Sequence, residues 1–126
     1  MTEKNEMTLN EYQERAMSTC MDTCDNFSYM FLNLVGEVGE LASKVAKRIR
    51  KGKAEIHDSQ LCMVDTPQAM LELKLEAGDI AWELAGLCKV MGWTLEDVCQ
   101  ANLDKLQARK EAGTIDGNGD EIYDRT

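Results

Sequence analysis

Apolar residues recur at helical spacing in four stretches of the chain. In the first, Leu9, Tyr12, Ala16, Met17, Cys20 and Met21 form one stripe, which predicts a helix over about residues 9–24. Thr8 and Glu11 open it as a capping box. In the second, residues 26–51, Phe27, Phe31, Leu34, Val38, Leu41, Val45 and Ile49 make the inward face, and Gly52 is a plausible stop. Residues 53–65 have no clear period and read as a loop. Thr66 then fits an N-cap, with Pro67 at the first position of a third helix that reaches about Met91 and ends at Gly92. That helix is apolar on two sides: Leu73, Ile80, Leu84 and Leu87 form one stripe, and Leu71, Leu75 and Trp82 another. The fourth helix starts at the N-cap Thr94, with Asp97 in its first turn. It turns Leu95, Val98, Cys99, Leu103 and Leu106 inward and ends near Gly113.

Four helices with short connections predict an all-α fold, an antiparallel four-helix bundle-like domain. The 126 residues suit a single domain, with a helical core over 8–110 and a polar, Gly-rich tail over 111–126. So small a bundle is expected to complete its core by oligomerising.

The polar positions inside the apolar pattern carry the chemistry. Glu37 and Glu40 lie in LVGEVGELASKV, and Glu76 and Asp79 in LKLEAGDIAWEL. Each pair is spaced i, i+3, which sets both carboxylates on one side of a helix. An unpartnered carboxylate in such an apolar setting is costly. A lone pair of this kind is common on a solvated face, where Glu40 could bond Lys44 one turn on. Two pairs on two helices point instead to a shared hard divalent cation, for which magnesium has the right oxygen preference. On the third helix the acids extend into a strip of Glu72, Glu76, Asp79 and Glu83, hemmed in by apolar residues, which is expected to face something positive. On the second helix Lys44, Lys47 and Lys51 continue the acidic flank. On the fourth, Asn102 interrupts an apolar stripe, and Lys105 follows at i+3. Both suit phosphate oxygens beside a metal, with Arg109 at the rim, or else an ordinary polar helix edge.

Composition narrows the partners. A net charge of −9 argues against duplex nucleic acid and anionic membranes, which need a basic face. No run approaches the roughly 20 apolar residues of a membrane span. The N-terminus MTEKNEMTLNEYQ lacks the basic and apolar regions of a secretory signal, so a cytoplasmic protein is expected. The five cysteines read as buried reduced thiols, and the single histidine has no partner at zinc-ligand spacing. Asp116-Gly-Asn118-Gly-Asp120 resembles the start of a calcium loop, but Glu121 stands where the loop needs Gly, so it reads as a turn.

Taken together, Glu37-Val-Gly-Glu40, Glu76-Ala-Gly-Asp79 and TLEDVCQANLDKLQARK resemble the MazG-like, all-α nucleoside triphosphate pyrophosphohydrolases. That family carries an ExxE on one helix, an ExxD on the next, and an Asn and a Lys near the phosphates on the helix after. The resemblance covers most of residues 8–110. It implies that Glu37, Glu40, Glu76 and Asp79 bind magnesium, with manganese as an alternative. One of the four would act as base through a water. It also implies hydrolysis of a nucleoside or deoxynucleoside triphosphate near the α–β bridge to the monophosphate and pyrophosphate, in nucleotide-pool housecleaning. Lys47, Asn102 and Lys105 are then the phosphate contacts, and Trp82 either packs against the base or serves the core. Members of the family pair subunits, which implies a homodimer or homotetramer. The alternative is a non-catalytic helical module for nucleotide sensing or subunit interaction. A carboxylate di-iron bundle would need Glu-x-x-His pairs that the sequence lacks.

Overall fold

Two long helices, α2 (Phe27–Arg50) and α3 (Pro67–Val90), form the frame of the molecule. They run antiparallel: Met30 at the start of α2 meets Gly86 near the end of α3, and Arg48 at the end of α2 meets Glu72 near its start. The computed structural model describes residues 6–63 and 67–113. The remaining elements are α1 (Leu9–Met17), a single 3₁₀ turn at Asp22–Cys24, a hairpin of β1 (Ala54–His57) and β2 (Gln60–Met63), and α4 (Leu95–Ala112).

The caps follow the sequence closely. Thr8 Oγ1 accepts from the Glu11 amide at 3.1 Å, Asn26 Oδ1 from the Tyr29 amide at 2.9 Å, and Thr94 Oγ1 from the Asp97 amide at 3.0 Å. Gly113 ends α4 with φ 72°, a left-handed conformation that glycine adopts without strain. Pro67 is the first residue of α3 as predicted, while the cap assigned to Thr66 lies outside the described residues.

Two expectations about the elements themselves are corrected. The first helix stops at Met17 rather than near residue 24. Ser18 Oγ donates to the Arg15 carbonyl at 2.5 Å and Thr19 Oγ1 to the Ala16 carbonyl at 2.6 Å, so hydroxyls take the carbonyls that a longer helix would use. Residues 53–65, read as a loop, contain the β1–β2 hairpin, with Ala54 opposite Met63 and His57 opposite Gln60. Its two central residues, Asp58 and Ser59, have φ of 50° and 65°, the pattern of a type I′ turn.

The core sits at one end. Ala85, Cys88 and Leu95 are buried together, flanked by Tyr12, Met17, Leu84, Val98 and Cys99 from α1, α3 and α4. Gln13 of α1 ties this end together. Its Nε2 donates to the carbonyls of Ala85 and Trp93, and its Oε1 accepts from the Leu95 amide at 2.8 Å, which is an otherwise orphaned donor at the start of α4. The indole N–H of Trp82 donates to the Ala16 carbonyl and to Thr19 Oγ1, closing α3 onto the end of α1.

This arrangement differs from a closed four-helix bundle. Helix α2 packs mainly on α3, and α1 and α4 pack with each other on the C-terminal part of α3. The face of α2 expected to point inward is therefore largely outward. Met30 is its one buried residue, Leu34, Leu41 and Val45 are half-buried, and Phe27, Phe31, Val38 and Ile49 are exposed. Leu71 and Leu75 on α3 and Leu103 and Leu106 on α4 are exposed as well. All five cysteines are free, as expected, but of the five expected inside only Cys88 is buried; Cys20, Cys24 and Cys99 are half-buried and Cys62 is exposed on β2. No helix among the described residues is long and apolar enough to cross a membrane.

Candidate metal centre

Cross-helix ion pairs fix α2 against α3. Lys44 Nζ lies 2.8 Å from Glu76 Oε1, and Arg48 Nη2 lies 3.5 Å from Glu72 Oε2. This register brings Glu37 of α2 opposite the second acidic pair. One carboxylate oxygen from each of Glu37, Glu76 and Asp79 lies within 4.8 Å of the other two. Glu40, one turn beyond Glu37, is exposed and outside that group of three. It still acts on the group through its charge. Burial first, then the charges of Asp79, Glu40 and Glu76, raise the proton affinity of Glu37.

The side chains around the three acids sharpen their need for a cation. Glu76 gives one oxygen to Lys44, while its Oε2 is buried without a partner. Glu83, one turn beyond Asp79, is buried at 4% exposure, and its Oε2 is also without a partner. Burial raises its proton affinity, with Glu37 and Asp79 adding to the shift. Tyr12 reaches the same region from α1. Its phenol is pushed up by burial and then by the charge of Asp79. A hard divalent cation would take the orphaned oxygens and offset the mutual repulsion, so the residues present fit such an ion.

Beyond the acids the groove turns basic. Glu40, Ser43, Lys44 and Lys47 line a shallow hollow with Gly36. Lys44 and Lys47 also belong to a cleft of about 250 Å³ whose other walls are Arg48, Lys51, Lys53, Glu72 and Leu73. Lys47, singled out from the sequence, thus sits on a cationic wall beside Glu40. The same helix C-terminus favours cations through its dipole. On α4, Asn102 is exposed, while Lys105 and Arg109 are half-buried. Trp82 is half-buried, with its N–H committed to α1. The local pairing weighed for Glu40 and Lys44 is replaced by the Lys44–Glu76 bridge between helices.

Sequence reasoning placed Glu83 in the acidic strip but not in the site. Its i, i+4 relation to Asp79 was the available signal. Tyr12 had no signal beyond its place in an apolar stripe.

The model of the MazG nucleotide pyrophosphohydrolase domain matches residues 26–114, which span α2 to the end of α4 and hold all four motif acids. This chain belongs to the MazG nucleotide pyrophosphohydrolase family. It is also similar to the Gene 37 protein of Mycobacterium phage L5, at 38% identity over 99 residues, which is 79% of each chain. No solved structure matches it.

Proposed function

We propose that this MazG-family chain hydrolyses a nucleoside or deoxynucleoside triphosphate to the monophosphate and pyrophosphate, using magnesium or, in its place, manganese. The observation that carries the reading is the convergence of Glu37, Glu76 and Asp79, with a buried oxygen of Glu76 left for a ligand. A structural or purely interacting helix pair has no use for such a cluster.

Glu37, Glu76 and Asp79 would hold the cation, with Glu40 at the outer rim. When bound, a cation of this kind neutralises phosphate oxygens and lowers the pKa of a water. One carboxylate of the set accepts the proton of the attacking water. The reaction adds that water across the α–β bridge and breaks one P–O bond. Lys47 and its basic cleft stand where a phosphate chain leaving the acids along α2 would need cations. Asn102 and Lys105 are assigned to phosphate oxygens by the same reading. Trp82 keeps its clamp between α1 and α3, and its ring is a candidate base contact. The exposed apolar face of α2 supports assembly as a homodimer or homotetramer. The charge of −9 supports small phosphorylated ligands over duplex nucleic acid, and the reading places the protein in the cytoplasm.

The test is pyrophosphate release from a panel of ribo- and deoxyribonucleoside triphosphates, with magnesium and with chelator. Metal-dependent release from part of the panel is expected. A folded, magnesium-binding sample that stays silent across the panel would move the protein to the nucleotide-sensing alternative.

A further inference from the structure

The two motif pairs leave out two members of the acidic strip: Glu72, which pairs with Arg48, and Glu83. Glu83 lies one turn beyond Asp79 and two turns beyond Glu76, so the three share one side of α3. At 4% exposure it is the most deeply buried charged side chain among the described residues. Its Oε2 has no hydrogen-bond partner. The charges it feels are Glu37 and Asp79, both acids of the cluster. No ion pair among the described residues reaches it.

A buried carboxylate that feels the charge of two others and has no ion-pair partner among the described residues is unfavourable as it stands. Two remedies exist. A proton removes the charge but adds a buried hydroxyl that needs an acceptor. A divalent cation removes the charge and takes the orphaned oxygen together with that of Glu76, which is buried and unpartnered on the same side of α3. Glu83 stands outside the group of three whose oxygens converge within 4.8 Å, so the second remedy requires its side chain to turn toward them when the cation binds.

We propose that Glu83 is a direct ligand of a divalent cation at the cluster, closing its buried end behind Glu37, Glu76 and Asp79. The assignment rests on the cation reading of that cluster. It adds a carboxylate that the ExxE and ExxD pairs do not contain.

The experiment is a calorimetric titration of the full chain with Mn²⁺, without nucleotide, paired with melting curves in chelator. Glu83→Gln keeps the volume and removes the charge. It is expected to weaken Mn²⁺ binding by about tenfold or more and to melt above the wild type in chelator. Wild-type Mn²⁺ affinity in the Gln variant would overturn the proposal and leave the cation reading standing. A wild type that binds no Mn²⁺ would overturn both. A measurement without substitution guards against a misfolded variant. In protein labelled with ¹³C at glutamate carboxyls, Mn²⁺ should broaden the Glu83 resonance beyond detection, and an unperturbed resonance with Mn²⁺ bound elsewhere would overturn the assignment.

Discussion

Lys44 Nζ sits 2.8 Å from Glu76 Oε1, so the first acid of the second motif is held by a cation from the helix of the first. The bridge has two effects. It crosses from α2 to α3 a turn or two from Glu37 and Asp79, and it ties up one Glu76 oxygen, leaving the other buried and unpartnered. Replacing Lys44 with Met removes a positive charge beside the proposed cation site. The variant is expected to bind Mn²⁺ more tightly than the wild type and to show a raised KM for triphosphate. Weaker Mn²⁺ binding by titration would show that Lys44 acts by organising Glu76.

Removing the charge of a proposed ligand without changing its shape tests the proposed metal set. Asp79→Asn and Glu40→Gln are each expected to lower kcat by about a hundredfold or more, since even outer partners of metal ligands cost 10–100-fold. Far-ultraviolet circular dichroism should show unchanged helix content. Glu40 is the sharper case, because it is exposed and outside the group of three that converge. Near-normal turnover of Glu40→Gln would restrict the set to Glu37, Glu76 and Asp79.

The parts of this site that were legible in the sequence are those fixed by helix geometry alone. A spacing of i, i+3 puts two acids on one side whatever the helix packs against, so Glu37 with Glu40 and Glu76 with Asp79 could be paired before the fold was known. Burial depends on partners, and there the reading failed. Glu83 looks like any other acid of its strip until the packing of α3 against its neighbours buries it. The outward turn of Phe27, Phe31 and Val38 follows from α2 packing mainly on α3, which periodicity cannot show. The hairpin was hidden for a different reason: its strands are four residues each and its turn is Asp58-Ser59, without the glycine that usually marks positive φ.

Gly86 is required by a close approach. A Cβ at this position would stand 2.2 Å from Met30 Sδ, and Met30 is fully buried. Alanine gains about 1 kcal/mol of helix propensity over glycine, but displacing a buried side chain costs about 1–3 kcal/mol. Gly86→Ala is therefore expected to destabilise the protein by up to about 2 kcal/mol. In Gly86→Ala with Met30→Ala the clash is absent, so the double variant should be more stable than the two single effects added. Additive denaturation energies would place the contact elsewhere.

Metal-free protein should prefer mild acid. Burial, then acidic neighbours, raise Glu37 and Glu83 above the ordinary carboxylate value. In the window between the unfolded value of about 4.3 and the raised native values, the native state holds more protons than the unfolded chain. Stability in chelator therefore rises as pH falls through that window, is lost as pH rises back through it, and is level beyond either end. Melting temperatures taken as pH falls from neutral toward the unfolded value should show the rise, and saturating magnesium should flatten it by replacing the protons. Glu37→Gln should flatten the chelator curve in part. A slope of the opposite sign would place these two carboxylates in a solvated setting.

The outer side of α2 calls for a partner. Phe27, Phe31, Val35 and Val38 are 46–61% exposed on one stripe, and the rings of Phe27 and Phe31 stack with centroids 5.5 Å apart. From Phe31 the stripe continues through Val35, Val38, Ala42, Val45 and Ile49 in alternating steps of four and three, the spacing with which two helices interlock side chains. A continuous apolar seam of this length is uncommon on a monomer surface. A second copy presenting the same seam would cover it, and the twofold pairing of like surfaces is the usual form of a homo-oligomer. Sedimentation at micromolar concentration should then give a dimer or tetramer. Val35→Glu, placed mid-seam and away from the acids, should shift the protein to monomer and lower its melting temperature. A wild type that sediments as a monomer, or a Val35→Glu variant with unchanged mass and stability, would mean that this face is covered by something other than its own copy.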